Sequence, residues 1–279
     1  MSSSIRLTKH HAVGNDFLVL LDFMNTHGVG AEQAQAWCNR RTGVGADGLI
    51  IVTSPDSATG ADGDVEMVLY NADGSVAEIS GNGIRCLGQA VALYRGLYEF
   101  ELKVFTGSGT RTLQIKPDDA DHTMLVSVEM GRAVSQGDEA ELDLVDGRHT
   151  KSRHIKSLTV SMGNPHSVFL FDDENNRDLI ADSLKAGDSN VELVLAGSKP
   201  DTIAMRVIER GVGETLACGS GACAAAYAAH EWGLVGTHVI VEMPGGDVSV
   251  DLVSREKGTD AIVLTGPTKF VATVEIPWP

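Results

Sequence analysis

The sequence lacks the features that mark membrane-spanning, secreted and nucleic-acid-binding proteins. Its 279 residues contain no run of 18 or more apolar residues, so no spanning helix is expected. The first residues carry no apolar signal segment, and we therefore expect a cytoplasmic protein. Lysine and arginine number 22 against 38 acidic residues, which gives a net charge of −16 without any basic cluster. This charge argues against a general binder of nucleic acid or of anionic membranes.

Cysteine is scarce, and its spacing excludes several kinds of site. The four cysteines are Cys38, Cys86, Cys218 and Cys223, and no C-x-x-C motif occurs. In a chain of this length without a signal segment they are expected to be free thiols. Cys218 and Cys223 stand five residues apart without a nearby histidine pair, which is poor spacing for zinc, and no metal site is predicted.

One short motif occurs twice, about half the chain apart. Residues 79–88 read ISGNGIRCLG and residues 217–226 read ACGSGACAAA. When the two glycine-rich cores are superposed, Ser80 stands opposite Cys218. Asn15 and Asn164 also each follow a glycine and precede an apolar strand. We interpret these echoes as a duplicated α+β domain, and the alternative is a chance recurrence of short glycine motifs.

Local patterns predict short strands and four helices. Segments rich in β-branched residues and bounded by Gly, Asp or Pro predict strands at 17–21, 48–52, 65–70, 102–105, 113–115, 124–128, 158–161, 168–171, 191–195, 203–208, 238–242, 248–252 and 261–265. Helices are predicted at 31–41, 82–95, 175–184 and 219–232, three of them ending at a glycine. Polar residues at 118–121 and 135–148 predict loops. One central helix in each half indicates two α+β lobes with a cleft between them.

Cys218 is the first candidate for chemistry, because it precedes a predicted helix. The N-terminus of a helix favours thiolate over thiol, so a lowered pKa is expected for Cys218. Gly219 and Gly221 would let a ligand approach the backbone, and the N–H groups of Gly219 and Ser220 would hold a carboxylate. The same reasoning applies to Gly81 and Asn82 in the first copy. The alternative is a buried cysteine at a tight turn.

Two charged residues precede this cysteine motif. Arg210 would suit a carboxylate and Glu209 an ammonium group, although a surface ion pair is an equally good interpretation. His166, taken alone, is more typical of a structural histidine than of a catalytic one.

Taken together, six segments resemble the diaminopimelate epimerase family. They appear in the family's order and span nearly the whole chain: 11–17 (HAVGNDF), 45–48 (GADG), 70–75 (YNADGS), 81–83 (GNG), 163–166 (GNPH) and 209–221 (ERGVGETLACGSG). The resemblance implies a cofactor-independent isomerase that interconverts L,L- and meso-diaminopimelate for lysine and peptidoglycan synthesis. It also implies a cytoplasmic homodimer that needs neither pyridoxal phosphate nor a metal.

The resemblance further implies an α+β fold of two pseudo-symmetric domains. Each would be a mostly antiparallel sheet wrapped around a central helix, with the active site in the interdomain cleft. We expect the N-terminal domain to span residues 1–130, completed by 266–279, and the C-terminal domain to span residues 131–265.

Site roles follow from the same resemblance, position by position. Cys218 would be one of two thiols that flank the substrate α-carbon, and His166 would support the thiol pair. Glu209 would anchor the ammonium group. The distal end of the substrate would be bound by Asn15, Asn71, Asn164, Asn190 and Arg210. The reacting carboxylate would be held at the helix starts by Gly81, Asn82, Gly219 and Ser220.

The chain departs from this pattern at Ser80, which occupies the position of the family's other catalytic cysteine. A hydroxyl is far less acidic than a thiol, whose usual pKa is about 8.5, so Ser80 should be a poor base. Cys86 lies too far along the helix to replace it, and Cys38 and Cys223 are expected to be packing residues. We therefore expect impaired turnover with preserved binding. Ser80 is either an introduced change, a natural feature of a slow enzyme, or the mark of a paralogue.

Two other functions remain open from the residues. The first is a hydroxyproline-type racemase or dehydratase of the same fold, which Arg210 and the asparagine set argue against because proline has no distal carboxylate. The second is a non-catalytic amino-acid-binding or thiol-redox protein, for which a disulfide between Cys218 and Cys223 would be support.

Overall fold

The computed structural model describes residues 3–56, 62–77, 80–137, 156–182, 184, 187–254 and 261–278. The helices are α1 (Ala31–Cys38), α2 (Gly81–Arg95), α3 (Glu174–Ala181) and α4 (Gly219–Glu231). The strands are β1 (Ser3–Ala12), β2 (Asn15–Leu21), β3 (Gly48–Thr53), β4 (Val65–Asn71), β5 (Val76–Ala77), β6 (Phe100–Thr106), β7 (Gly109–Pro117), β8 (Thr123–Gly131), β9 (Val134–Gly137), β10 (Lys156–Ser161), β11 (Pro165–Phe171), β12 (Asn190–Ala196), β13 (Thr202–Glu209), β14 (Gly213–Thr215), β15 (His238–Met243), β16 (Gly246–Val253) and β17 (Ala261–Trp278). Within these described ranges, no helix is long and apolar enough to cross a membrane.

The chain divides into two compact units. The first comprises Met1–Val128 with Gly266–Pro279, and the second comprises Glu129–Thr265. Strand β17 starts in the second unit, where it pairs with β16, and continues into the first, where it pairs with β1.

In the first unit the sheet surrounds α2. Strand β1 pairs antiparallel with β2, β2 runs parallel to β3, and β3 is antiparallel to β4. Strand β4 is parallel to β6, and β6, β7 and β8 follow as an antiparallel series. Because β17 pairs with both β1 and β8, these eight strands close into a barrel. Ile84, Leu87 and Val91 of α2 are fully buried, as their helical spacing predicts for an enclosed helix.

The second unit repeats the same order of strand directions. Strand β10 is antiparallel to β11, β11 is parallel to β12, and β12 is antiparallel to β13. Strand β13 is parallel to β15, and β15, β16 and β17 follow as an antiparallel series. Helix α4 packs on this sheet through small residues, because Ala222, Ala225, Ala226 and Ala229 are fully buried. The prediction of two pseudo-symmetric α+β units, each with a central helix, is confirmed.

Several element boundaries were predicted wrongly. Helix α1 ends at Cys38 rather than at residue 41, because Asn39 is extended and its side chain accepts hydrogen bonds from Arg41 N and Thr42 N. Helix α3 ends at Ala181 and α4 at Glu231, each slightly before the predicted end. Part of the predicted loop at 135–148 is strand β9, which pairs with β10, and its remaining residues lie outside the described ranges. Strands β1, β5 and β14 were not predicted.

Candidate active site

Cys218 is the N-cap residue of α4, as the motif predicted. Its backbone is extended, with φ −130° and ψ 118°, and Gly221 N–H donates to Sγ over 3.4 Å. Ser220 Oγ lies 3.6 Å from the same sulfur. Gly219 and Ser220 occupy the first two positions of the helix, where backbone N–H groups have no partner within the helix. An anion can therefore bind at this helix start.

The surroundings of Cys218 are acidic, and this overturns one prediction. Burial is the largest effect that raises the pKa of the Cys218 thiol well above its usual value, followed by the carboxylates of Glu209 and Glu192. The bonds from Ser220 and Gly221 act in the opposite direction but are outweighed. The prediction of a lowered pKa for Cys218 was wrong. The thiol is only 6% exposed and faces two carboxylates, and these effects outweigh that of the helix N-terminus. These surroundings favour the thiol form of Cys218 over the thiolate.

Glu209 is the group placed to exchange a proton with this thiol. It ends β13, receives a 2.5 Å hydrogen bond from Thr215 Oγ1, and shares a side-chain hydrogen bond with Cys218. Burial raises the pKa of Glu209, and the bond from Thr215 partly opposes that effect. A carboxyl group that is less acidic than usual and bonded to a thiol is suited to accept the thiol proton.

His166 joins the same cluster from β11. Its Nδ1 lies 2.6 Å from Glu192 Oε1, and its Nε2 lies 3.1 Å from Asn164 Oδ1. His166 and Glu192 are both fully buried. The structure thus brings together Cys218, Glu209 and His166, which were predicted, with Glu192, which was not.

Two further predicted residues lie at the ends of neighbouring strands in the second unit. Asn190 begins β12, and its Oδ1 accepts a hydrogen bond from Arg210 N over 2.9 Å. The exposed guanidinium of Arg210 donates to Asp188 O over 3.4 Å. Arg210 follows β13 directly, so the side chains of Glu209 and Arg210 start from adjacent positions. Among the described residues, Glu209 and Arg210 form no ion pair with each other, so the alternative of a surface ion pair is not supported.

Ser80 occupies the corresponding position in the first unit. It is the N-cap residue of α2, with φ −135° and ψ 120°, and its Oγ accepts a hydrogen bond from Gly83 N over 3.0 Å. Gly81 and Asn82 are the first two helical residues and are buried. Behind them lies the fully buried Arg85, which donates to Gly81 O over 3.0 Å and to Asn82 Oδ1 over 2.9 Å.

Asn15 and Asn82 are linked to each other in this unit. Asn82 Nδ2 donates to Asn15 Oδ1 over 3.3 Å, and Asn15 Nδ2 donates to Asp47 Oδ2 over 2.7 Å. Asp47 is in turn held by Arg40, 2.7 Å away. Asn71 is exposed at the end of β4, and its Nδ2 donates to Ser75 Oγ over 3.0 Å. These contacts orient the amide groups of Asn15 and Asn71 that the sequence assigned to binding.

The cysteines of the chain are thiols rather than disulfides or metal ligands within the described ranges. Cys38, Cys86, Cys218 and Cys223 are all free and buried. Burial raises the pKa of Cys86 to about 12 and that of Cys38 to about 11. Within the described ranges, no group of three or more His, Cys, Asp or Glu residues is arranged to hold a metal ion.

Solved structures show the same fold at low sequence identity. A phenazine biosynthesis protein of the PhzF family from Bacillus anthracis superposes with a TM-score of 0.73 at 17% identity and covers 98% of this chain and 99% of its own. A hydroxyproline epimerase from Agrobacterium vitis, with bound trans-4-hydroxy-L-proline, superposes with a TM-score of 0.68 at 15% identity over 99% and 94% of the two chains.

Sequence relatives are more specific. The curated diaminopimelate epimerase of Halothermothrix orenii is 35% identical over 98% of both chains, and that of Bacteroides thetaiotaomicron is 36% identical over 97% of both. The sequence profile of diaminopimelate epimerase matches residues 7–135 and 158–271. The chain is therefore an isomerase of the amino-acid epimerase class. More particularly, it belongs to the diaminopimelate epimerase family.

Proposed function

We propose that this protein acts at the α-carbon of diaminopimelate and is built to interconvert the L,L- and meso-forms. The observation that carries the proposal is the pair formed by Cys218 and Glu209 at the start of α4. A thiol with its own proton acceptor, beside N–H groups that can hold a carboxylate, is suited to proton transfer α to a carboxylate.

The proposed reaction begins with the substrate carboxylate at the helix start. The N–H groups of Gly219 and Ser220 bind it and stabilise the negative charge that develops when the α-proton leaves. Glu209 takes the Cys218 proton, and the resulting thiolate removes the α-proton. In the opposite direction, the thiol returns a proton to the carbanion. Gly81 and Asn82 would offer the same kind of donors from the first unit.

Inversion needs a second group that delivers a proton to the other face of the α-carbon. Ser80 stands at the position that the family resemblance assigns to that group. Its hydroxyl is a weaker acid and a weaker base than a thiol at neutral pH, so we propose that inversion is slow. Cys218 alone can remove and return a proton on one face, which exchanges the α-hydrogen without inverting the centre.

The polar residues near the strand ends would select the substrate. We propose that Asn15, Asn71, Asn164, Asn190 and Arg210 bind the distal amino-acid group and that Glu209 also attracts the α-ammonium group. Arg210 favours diaminopimelate over a proline-type substrate, because its exposed guanidinium can pair with a distal carboxylate that proline lacks. A cofactor-independent, cytoplasmic homodimer in lysine and peptidoglycan synthesis is part of the same proposal.

The deciding experiment is the variant Ser80→Cys. With L,L-diaminopimelate in D2O, the parent chain should form little meso-isomer. Ser80→Cys should raise the rate of inversion by roughly 10²–10⁴-fold, the range expected for a positioned acid–base group. Chiral chromatography measures inversion, and mass spectrometry measures deuterium at the α-carbon.

Two controls make the result specific. Adding Cys218→Ala to Ser80→Cys should remove the gain, because inversion then lacks its other thiol. Trans-4-hydroxy-L-proline, offered under the same conditions, should remain unchanged. A Ser80→Cys variant that inverts hydroxyproline, or that gains nothing with diaminopimelate, contradicts the proposed function.

A further inference from the structure

The two units place different residue pairs at one equivalent position. In the first unit Phe17 of β2 is the register partner of Gly48 on the parallel strand β3, and Ile50 lies two residues further on. In the second unit His166 of β11 is the partner of Asn190 on the parallel strand β12, and Glu192 lies two residues further on. The repeat therefore matches the pair Phe17–Ile50 with the pair His166–Glu192.

The start of each central helix approaches this position at a matching glycine, which lies against Phe17 and Ile50 in the first unit and against Glu192 in the second. A β-carbon on Gly83 would lie 3.4 Å from both Ile50 Cδ1 and Phe17 Cζ. A β-carbon on Gly221 would lie 2.7 Å from Glu192 Oε1, so a side chain there would force the buried carboxylate to shift. Thus α4 approaches a carboxylate at Gly221, whereas α2 lies against apolar side chains at Gly83.

The polar pair is not needed to form the fold. The first unit builds the same arrangement with Phe17 and Ile50, which are almost completely buried. A buried ion pair is often no more stabilising than well-packed apolar residues of similar volume. Glu192 is also incompletely satisfied, since its Oε2 has no hydrogen-bond partner among the described residues. A costly group in a place where an apolar one suffices indicates a chemical role.

The carboxylate of Glu192 and the sulfur of Cys218 both lie next to the α-carbon of Gly221. A β-carbon built on Gly221 would lie 3.3 Å from Cys218 Sγ and 2.7 Å from Glu192 Oε1, so the sulfur and the carboxylate are close neighbours. The charge of Glu192 helps to raise the pKa of Cys218. The other groups that act on this sulfur are Glu209 at the end of β13 and Ser220 on α4, and His166 on β11 faces Glu192 itself.

We propose that Glu192 is a positioning residue, which is held by His166 and uses its negative charge to keep the Cys218 sulfur protonated until a ligand binds. Cys218 then enters the proposed reaction as a thiol, and Glu209 takes its proton once the substrate is bound. The proposal deepens the proposed function and rests on it for its biological meaning. Its physical content, a carboxylate that suppresses the Cys218 thiolate, does not require turnover.

The test measures the Cys218 thiolate directly in the substrate-free protein. The parent chain and Glu192→Gln are labelled with iodoacetamide between pH 6 and 10, and the alkylated peptide containing Cys218 is quantified by mass spectrometry. Removing the negative charge should shift labelling to lower pH. At pH 8 we expect a roughly three- to tenfold higher rate, which corresponds to about half to one pKa unit.

Two further variants separate charge from packing. Glu242→Gln, on β15 of the same unit, removes a negative charge elsewhere and should leave the labelling curve in place. The double variant His166→Phe with Glu192→Ile installs the pair of the first unit. It should keep the parent's thermal unfolding midpoint or exceed it, and it should also label Cys218 at lower pH.

The outcomes are distinct from those of the Ser80→Cys experiment, because no substrate takes part. A folded Glu192→Gln variant whose labelling curve coincides with the parent's overturns the proposal. An equal shift in Glu242→Gln overturns it as well, because the effect would then reflect total charge. If Ser80→Cys fails to invert diaminopimelate while Glu192→Gln shifts the curve, the proposed function falls and the role of Glu192 stands.

Discussion

The starts of α2 and α4 share a backbone but differ in charge. Ser80 and Cys218 have nearly the same backbone angles, and each accepts a hydrogen bond from the third residue of its helix. At the fifth helical residue the first unit has the buried guanidinium of Arg85, whereas the second has the thiol of Cys223. The second start also faces Glu192 and Glu209. The repeat keeps the backbone of the helix start and surrounds its two copies with different charged groups.

Under the proposed function, this difference would suit the two positions to different acid–base tasks. A guanidinium behind a helix start favours an anion there, whereas carboxylates disfavour one. We therefore expect a thiol introduced at position 80 to ionise more readily than Cys218. A two-base epimerase needs one thiolate and one thiol at the moment when its substrate binds.

The largest effect is expected when the thiol of Cys218 is removed, because the start of α2 carries a serine at the matching position. We expect Cys218→Ala to reduce deuterium exchange at the α-carbon by roughly 10²–10⁴-fold, because no other group replaces its proton transfer. Proton NMR in D2O measures this exchange for each stereoisomer of diaminopimelate. Cys38→Ala, which removes a packing thiol from the first unit, serves as the control. Persistent exchange in Cys218→Ala would mean that the chemistry does not depend on the second helix start.

The next largest effect is expected for Glu209→Gln. The variant should exchange the α-proton about 10²-fold more slowly, since the thiol loses its proton acceptor. The same change removes a negative charge that raises the pKa of Cys218, so iodoacetamide should label Cys218 at lower pH. Slower exchange of the α-proton together with easier labelling of Cys218 would show that Glu209 acts in proton transfer and does more than shield the thiol. A Glu209→Gln variant that loses both α-proton exchange and the labelling of Cys218 would instead indicate a damaged site.

A third prediction compares the two thiols within one variant. In Ser80→Cys, the thiol introduced at position 80 should label about tenfold faster than Cys218 at pH 7.5, the difference that one pKa unit produces. Peptide mass spectrometry separates the two sites. Equal labelling would show that Arg85 and the carboxylates do not distinguish the two helix starts.

The smallest effect concerns the helix caps. Ser80→Ala should lower the free energy of unfolding by about 1 kcal/mol, because it removes the acceptor of the Gly83 N–H bond. Cys218→Ser should cost less, since a hydroxyl can also accept the Gly221 N–H bond, which the sulfur now accepts over 3.4 Å. Urea unfolding monitored by circular dichroism measures both. A larger loss of unfolding free energy in Cys218→Ser than in Ser80→Ala would contradict the prediction that both side chains act as acceptors for the helix cap.

Local signals in the sequence were sufficient for the frame of the site. Glycine-rich turns before apolar helices predicted that Ser80 and Cys218 begin helices, and the recurrence of the motif predicted the two similar units. These features depend on residues close together along the chain, whose conformational preferences act locally. The end of α1 was missed because the side chain of Asn39 offers the backbone an alternative to the helix.

The electrostatics of the site could not be predicted in the same way. Glu192 lies in an apolar strand, and no neighbouring residue in the sequence indicates that the start of α4 packs against its carboxylate. The only signal was a charged residue inside a run of buried neighbours such as Val191 and Leu193. The pKa of Cys218 was predicted in the wrong direction for the same reason, since strands far along the chain bring burial and carboxylates that outweigh the helix dipole.

Strand β17 limits how this protein can be divided into fragments. Its last residues, paired with Ser3–His11 of β1, complete the barrel of the first unit although they lie more than 250 residues away along the sequence. A fragment that stops near residue 130 would expose the edge of β1 and invite aggregation. An independently expressed first unit therefore needs residues 266–279 joined to it, for instance by circular permutation that places this strand ahead of β1.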